Sequence, residues 1–586
     1  MSADGFFVDG STDGGVEIDR ALPRDGGTGN GAGHFGDIDN DESPATEDCD
    51  DGNPDIYPGA PEICGNVIDD DCDGEIDEGC ITGDVFYVDK DSVGGPCSDE
   101  GPGTIDQPWC TVAKANQALT PVQTVYVRAG TYLETIQPEN SGASNSARIT
   151  YSGYEDETVT FSESVYCVRL QGVSHITLRG LRFYNCERNL YISGGSDNHV
   201  TGCEFDTPQG PSTWGGSRIY DGSSYNRITH CVFSRYGAQG PNQQDSGVVL
   251  DIGSDNEVDH SDHNLIYGND FSYGGHHILG VYSNYNVIRN NTFHNEEWYS
   301  CHRSDIGGLC GNRNVITNTS QPDKNIRNVF DRNHIVFSGV PPDQTTSTGL
   351  SLRTQKNIVR KNIFYYCDAS GLALSNDGGN HNDASYNHIY RNVFYHNGYP
   401  LIEDWQVQRS GLLLARWVDD AQHNPMTGVA IKNNIFHDNQ EYAVYYYYVD
   451  EQDQDVAGNW LEQGDPGFAD ISASPDPLDM NAFDFHLQST SPCIDNGAFL
   501  TTITQSGQDT TTLHVGDAGY FFDGQGIVYG DYIQLEGQTD TVLVTHVDYE
   551  NNDIDINVAL TFAAHTGVAL PYAGTRPDQG VYEHAQ

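Results

Sequence analysis

NVIRNNTF (286–293) and NIVRKNIF (357–364) are one phrase written twice, and it recurs as NHVTGCEF (198–205), NRITHCVF (226–233) and NHIYRNVF (387–394), with a looser copy, VAIKNNIF (429–436). The leading asparagines Asn198, Asn226, Asn256 and Asn286 are spaced by 28, 30 and 30 residues, and Asn357 and Asn387 by 30. A fixed period of this size is the mark of a repeat architecture. Within each copy apolar and polar residues alternate, which is strand periodicity. The prediction is a parallel β-helix in which each copy is one coil and coils stack ~4.8 Å apart. Val287 and Phe293, and likewise Ile358 and Phe364, are expected to point inward and pile on their equivalents. One coil cannot bury its apolar face alone, so the stack is cooperative. Asn at a repeated corner suits a turn, because it tolerates left-handed backbone angles and bonds its own backbone.

These repeats resemble those of right-handed parallel β-helix proteins related to pectate lyase, chondroitinase B and alginate lyase, over residues 83–500. The resemblance implies an all-β solenoid and activity on a polysaccharide. Around it, residues 1–36 read as a Gly- and Asp-rich linker and 37–82 as an acidic, disulfide-stapled metal module. DVFYVDKDSVGG (84–95) and TVYVRAGTYLE (124–134) are expected strands flanking an Ala-rich helix at 111–119. Residues 501–575 read as a small all-β domain inserted before the closing segment 576–586. TTLHV (511–515), DYIQLEG (531–537), TVLVTHVDY (541–549) and DIDINV (553–558) are its strands. Two stretches, 296–325 and 400–428, read as long interruptions on the binding face.

The chain has 586 residues and a formal net charge of −57, with 28 Lys and Arg against 85 Asp and Glu. Such a surface excludes nucleic acid, which needs a basic footprint. It repels an acidic polysaccharide unless cations intervene. Of the 14 cysteines, Cys49/Cys64, Cys72/Cys80, Cys97/Cys110 and Cys301/Cys310 sit in close pairs. Cys203 and Cys231 occupy one place in successive coils, at a spacing a disulfide accepts. The pattern favours an oxidising compartment, hence a secreted or cell-surface bacterial or archaeal protein. No apolar run is long enough to span a membrane. MSADGFFVDG at the start lacks a signal-peptide core; the reading is that a signal was removed and Met1 added.

In DIDNDESPATEDCDDGNPDIYPGAPEICGNVIDDDCDGEIDEGC (37–80), Asp69, Asp71 and Asp73 alternate and Gly74 follows, as at the start of a calcium loop. Cys80 stands where the loop's twelfth residue would be Glu, so Asp77 and Glu78 could substitute. A second set, Asp37, Asp39 and Asp41, has Asp48 at its twelfth position and Asp50 beyond. The stretch resembles the metal-binding repeat of MopE-like bacterial surface proteins and, more distantly, thrombospondin type 3 repeats. MopE is associated with copper, but these hard oxygen ligands favour calcium, at two or more ions.

Residues 260–303 concentrate ionisable groups: His260, Asp262, His263, His276, His277, Tyr282, Tyr285, Arg289, His294, Glu296, Glu297, His302 and Arg303. A uronic-acid lyase or epimerase must neutralise a carboxylate, remove the C5 proton and supply a proton. Arg303 or bound calcium could do the first, and a His, Lys or Tyr the others. The candidates are His276, His277, His302 and Arg303, with Arg353 and Lys356 from LRTQKNIVRKNIF, since the resemblance implies a Lys and an Arg on the helix face. Tyrosines of AVYYYYVD (443–450) could stack on sugar rings or pack beneath 400–428. The favoured function is a secreted calcium-binding polysaccharide lyase acting on a uronic-acid polymer. The alternatives are a non-catalytic surface, matrix or filament protein, self-associating through coil edges or the C-terminal domain, and a glycoside hydrolase or C5-epimerase.

Overall fold

The computed structural model describes residues 83–92, 95–208, 216–236, 248–254, 259–274, 277–295, 313–317, 326–337, 348–376, 383–399, 409–416, 425–472 and 483–584, with Ile56, Ala60 and Cys72. The chain winds through three parallel sheets, visiting each once per coil. The first sheet has 13 strands, from Val85–Val88 to Asp455–Ala457; the second has 12, from Gly130–Tyr132 to Trp460–Leu461. The third has 10, from Tyr166–Gln171 to Tyr442–Tyr447. A single α-helix among the described residues, Val112–Ala118, packs Val112 and Ala115 into the first coil's core. Thr111 caps it, its hydroxyl accepting from the Lys114 N–H at 3.2 Å.

The core is a column of equivalent side chains. In the second sheet Phe183, Phe205, Phe233, Phe271 and Phe293 stack at centroid spacings of 4.9, 4.5, 4.8 and 5.1 Å. Ile335 interrupts the column, and Phe364, Phe394 and Phe436 resume it at 4.8 and 4.6 Å. Every ring is fully buried, so each buries its area on both faces against the coils above and below.

Two asparagine ladders pin the corners. Along Asn198, Asn226, Asn264, Asn286, Asn328, Asn357 and Asn387, each carboxamide oxygen after the first accepts from the backbone N–H and the Nδ2 of the asparagine one coil earlier, while Asn198 Oδ1 accepts from the Ile176 N–H. For Asn198 bonding to Asn226 these distances are 3.1 and 3.0 Å. A second ladder, Asn269, Asn291, Asn333, Asn362, Asn392, Asn434 and Asn459, occupies the short turn between the first and second sheets. Asn256, expected in the first ladder, lies outside the described residues, and Asn264 holds its coil's place. The true spacings there are 38 and 22 residues rather than 30 and 30, because in these coils the stretches into and out of the third sheet differ in length. NLIYGNDF (264–271) and NVFDRNHI (328–335) are the two copies that the regular period hides.

Several expectations change in three dimensions. Phe293 and Phe364 face the core, but Val287 and Ile358 face outward beneath a second body of structure, while Ile288 and Val359 point in. The strand is apolar on both faces because both faces are covered. The stretches 296–325 and 400–428 are not plain interruptions, since each contains a third-sheet strand, Arg313–Thr317 and Ser410–Arg416. Cys97–Cys110 is a disulfide, with Cα atoms 4.9 Å apart. Cys167–Cys186 is another, at 5.7 Å, which the spacing did not single out. Cys72 is disulfide-bonded; Cys49, Cys64, Cys80, Cys301 and Cys310 lie outside the described residues. Cys203 and Cys231 are buried thiols, not a bridge, each facing a carbonyl: Thr201 O and Thr229 O, both at 3.2 Å. Side chains stacked on parallel strands keep parallel Cβ directions at ~4.8 Å, wider than the ~3.8 Å between Cβ atoms that a disulfide needs.

Residues Thr501–Ala569 supply a six-stranded antiparallel sheet. Its apolar face, with Phe521, Phe522 and Val544, joins Leu265, Val287, Val329, Ile358 and Ala430 in one buried cluster on the outer face of the first sheet. The antiparallel pair Phe468–Asp470 and Asp484–Leu487 covers the second sheet similarly, burying Val336, Ile363, Tyr365 and Val393 with Phe483 and Phe485. No helix of the described residues is long and apolar enough to cross a membrane.

Candidate functional site

Over the C-terminal coils, two of the three outer faces of the solenoid are thus covered by packing. The third sheet differs. Its turns into and out of the strands are where chain length varies, whereas Val287–Arg289 and Thr292–His294, joining first to second sheet, are separated by two residues. Its N-terminal strands place polar and charged residues outward: read across neighbouring strands, one row is Arg169, Tyr191, Arg218 and Asp251, with Gly280 next to Asp251. Inward neighbours such as Val168, Leu170, Leu250 and Leu279 are core, so alternation fixes which side each faces.

At the centre of this face His277 Nε2 lies 3.0 Å from Asp251 Oδ1 and 3.4 Å from the Tyr282 hydroxyl. His277 and Asp251 sit on adjacent strands, Val248–Ile252 and His277–Val281, and Tyr282 directly follows the second. Gly280 makes the cluster fit. A Cβ there would stand 2.3 Å from Asp251 Oδ1, 2.7 Å from His277 Nε2 and 2.7 Å from the Tyr282 ring. Only glycine leaves room for three polar side chains to converge over the strand. His277 is 1% exposed, and Asp251 and Tyr282 are nearly as buried. Toward the N-terminal end of the face the Arg188 guanidinium lies 5.7 Å over the Tyr191 ring, and Tyr191 bonds Tyr220 through their hydroxyls. Toward the C-terminal end Tyr442 and Tyr445 stack at 4.4 Å, and Tyr445 and Tyr447 flank the small apolar patch of Ala373, Leu413 and Ala415.

The chemistry available is proton transfer. A hydroxyl beside an imidazole nitrogen can pass its proton there, and because Asp251 and Tyr282 both face His277 Nε2, the proton so taken is the one that Asp251 then accepts a hydrogen bond from. Burial pushes the carboxyl of Asp368, on the turn leading into the third-sheet strand Ser370–Asn376, up to about 7.

The residues expected from sequence separate into groups. His277 stands at the centre of this cluster. Arg353 follows the third-sheet strand Thr348–Leu352, its N–H donating to Thr317 Oγ1 at 3.1 Å. Lys356 occupies the corner between third and first sheets in a left-handed conformation, φ 61°. His276, His302 and Arg303 lie outside the described residues. So do Asp37, Asp39, Asp41, Asp48, Asp50, Asp69, Asp71, Asp73, Asp77 and Glu78; their all-carboxylate donor set suits a hard cation such as calcium. Among the described residues no cluster of three or more metal-ligating side chains occurs.

The described members of the ionisable group at 260–303 disperse over the solenoid. His263 stacks between Tyr225 and Tyr285 at the corner before the first sheet, each at 5.0 Å. His294 pairs with Asp270 on the second sheet at 2.9 Å, and Arg289 with Asp331 on the first at 3.0 Å. The period does not single out Asp251 or Arg218; Asp251 carries a signal of its own, as the lone charge in the apolar strand VVLDI.

Comparison with known proteins agrees with this architecture. A model described as a right-handed β-helix region matches residues 166–336 and 257–475, together more than half of the chain. A metal-binding motif of the MopE copper-binding type matches residues 48–78, which leaves out Asp37, Asp39 and Asp41. The uncharacterized protein YwoF of Bacillus subtilis (strain 168) is 30% identical over 151 residues, 22% of this chain and 31% of the relative. The chain thus spans about a third of the length of that curated relative. Among solved structures, pectate lyase Pel9A is 14% identical, with a TM-score of 0.42 covering 73% of this chain and 95% of that one. A rhamnogalacturonan lyase is 14% identical, with a TM-score of 0.42 covering 70% and 96%. An alginate lyase from Paenibacillus sp. is 11% identical, with a TM-score of 0.30 covering 59% and 97%. With its three parallel sheets and a family match over most of the solenoid, this chain belongs to the right-handed β-helix family.

Proposed function

We propose that the outer face of the third sheet binds an acidic polysaccharide and cleaves it by β-elimination. One observation carries the reading: the Asp251–His277–Tyr282 cluster converges over Gly280 on a face that also bears Arg169, Arg188 and Arg218. In a chain of net charge −57, these arginines give a polyanion a local counter-charge on that face.

The steps follow from the groups present. The Arg218 guanidinium, on the strand beside Asp251, neutralises the uronate carboxylate and stabilises the negative charge that develops on it. Tyr282 passes its hydroxyl proton to His277 Nε2, and that same N–H then donates to Asp251 Oδ1, which lies 3.0 Å from it. The Tyr282 phenolate takes the C5 proton of the sugar. The C4–O4 bond breaks as the C4=C5 double bond forms, Tyr282 delivers that proton to the leaving O4, and His277 gives its proton back to Tyr282. The tyrosines at 442–447 supply ring faces for sugars farther along the groove. The carboxylates of residues 37–78 bind calcium and, with the disulfides, hold a module too small for a core. Two disulfides support an extracellular setting.

The test is the ultraviolet absorbance of the unsaturated uronate, followed over a panel of uronic-acid polymers with and without calcium. A rise on one polymer that His277→Ala or Tyr282→Phe abolishes supports the reading. A flat trace across the panel favours the competing one, a non-catalytic surface or matrix protein. The observation behind that alternative is the near-complete burial of His277.

A further inference from the structure

Three cations stand on successive coils at the corner between the first and second sheets. Arg332, Lys361 and Arg391 all take the left-handed backbone, at φ 54°, 52° and 56°. The Arg332 N–H donates to Arg360 O at 3.2 Å and the Lys361 N–H to Tyr390 O at 3.4 Å, so the coils are in register and the three side chains leave them ~4.8 Å apart. Gly180, Gly202 and Gly268 hold this corner in earlier coils. Glycine takes the conformation at no steric cost and like charges at one-coil spacing repel, so long cations here are the costly choice.

The carboxylates nearby are already engaged. Asp331 serves Arg289 at 3.0 Å, Arg360 at 3.4 Å and Arg332 at 3.5 Å. Asp531 pairs with Arg360, and Glu583 Oε1 lies 2.9 Å from Arg391 Nη2. Asp578 accepts from the backbone N–H groups of Asp495 and His584, both at 2.7 Å. Among the described residues the Lys361 amine has no hydrogen bond or ion pair. Its side chain is partly buried, and its Nζ keeps contact with solvent.

Burial first, and then Arg332 and Arg391, hold that amine well below the ordinary lysine range; Asp331 opposes them and Arg360 adds to them. A partly buried amine beside other cations, with no counter-ion of its own, is a neutral nucleophile. The guanidinium groups on either side are short of an anion. Arg391 has, besides Glu583, only the neutral oxygens of Gly580 and Pro571, each at 3.4 Å, and Arg332 shares its one carboxylate with two other arginines. Burial also pushes the Glu583 carboxyl up to about 7, so it is a weak counter-ion.

We propose that Lys361 is a carbamylation site: its Nζ takes up dissolved carbon dioxide, and the carbamate so formed supplies an anion between Arg332 and Arg391. The Nζ lone pair forms a bond to the carbon of carbon dioxide, one C–O π pair moves onto oxygen, and the nitrogen gives a proton to water. No oxidant or reductant is needed. A group without a partner becomes an anion with two oxygen acceptors, set between guanidinium donors on the coil before and the coil after. The closing segment crosses this corner, with the Gly580 N–H donating to Asn433 O at 2.7 Å, so a small electrophile suits it better than a sugar. The site lies away from the groove and does not depend on catalysis there.

The test is made on the full chain in bicarbonate buffer, with any carbamate trapped as its ethyl ester by triethyloxonium ion and located by peptide mass spectrometry. The other lysines, Lys90, Lys114, Lys324, Lys356 and Lys432, are internal references. Lys361 is expected to carry at least ~10-fold more label than Lys356, because each unit by which a lysine pKa falls yields ~10-fold more neutral amine. Arg332→Gln, at a side chain 46% exposed, is expected to lower the label at Lys361 several-fold without unfolding the chain. Bicarbonate, compared with chloride at equal ionic strength, is expected to raise the melting temperature of the wild type and not that of Lys361→Gln. Label at Lys361 no greater than at Lys356, label that Arg332→Gln leaves unchanged, or an equal bicarbonate shift in Lys361→Gln overturns the proposal.

Discussion

Arg360 and Asp531, 171 residues apart in sequence, form a buried two-pronged ion pair, with Nη2 2.6 Å from Oδ1 and Nη1 2.8 Å from Oδ2. Arg360 projects from the first sheet and Asp531 from the six-stranded sheet that covers it. Around them Asp331, the Tyr390 hydroxyl and the Phe522 ring complete the shell. The pair answers what Arg360 is for. It is a bolt between two bodies of structure, and the run LRTQKNIVRKNIF that holds it is structural at this position.

Removing Asp531 leaves the buried Arg360 charge with only Asp331, at 3.4 Å, to offset it. Asp531→Ala is expected to destabilise the protein by ~3–5 kcal/mol, and the double change Arg360→Met with Asp531→Leu recovers only part of the loss, because Asp331 then loses Arg360 and the Phe522 N–H loses its acceptor. Denaturant unfolding monitored by aromatic fluorescence distinguishes the two.

The asparagine ladders make a separate prediction. Asn291 Oδ1 accepts from the backbone and side chain of Asn269, and its own Nδ2 donates to Ile266 O and to Asn333 Oδ1. Asn291→Ala leaves several buried groups unpaired, at a cost of ~1–3 kcal/mol or more. Asn291→Asp removes the donor and places a charge in the stack, so its melting temperature should fall further, and further still as pH rises.

Gly280→Ala tests the proton-transfer cluster without deleting any of its groups. The added methyl would stand 2.3 Å from Asp251 Oδ1, so Asp251 or His277 must move. If the groove is catalytic, turnover should fall by ~100-fold or more, the scale of losing a general acid or base. Circular dichroism should stay close to wild type.

Asp368 supplies a pH dependence. Burial pushes its carboxyl up to about 7, above the range of an unfolded chain. The folded state therefore holds the proton where the unfolded state has lost it, and stability declines as pH rises from ~4 to ~7. Asp368→Asn should remove that slope. The variant should melt several degrees above wild type at pH ~8 and at nearly the same temperature at pH ~4.

Chelation addresses the acidic module. If calcium holds residues 37–80, EDTA should expose that stretch to proteolysis while leaving the solenoid intact, and calcium should restore protection at stoichiometric excess. Protection by copper instead would point to the other metal associated with the MopE motif.

The repeats in the sequence carried the architecture. Alternation names a strand, a period near 30 names a coil, and Asn before each copy names a corner, because each is a local consequence of pleat, rise and backbone preference. Phe293 and Phe364 could be assigned to the core on that basis. Val287 and Ile358 could not be placed, since an apolar residue on the outer face of a strand looks like one on the inner face until something covers it. The covering sheet begins about 140 residues after Ile358 in the chain, at Thr501. The third sheet was hardest to read, because its strands sit between stretches of unequal length, so no period points to them. Asp251, His277 and Arg218 lie on different coils and meet only by parallel register. His277 was legible as a titratable residue among many. That it meets Asp251 and Tyr282 over a glycine, while His263 and His294 face other sides, was decided by the winding of the coil.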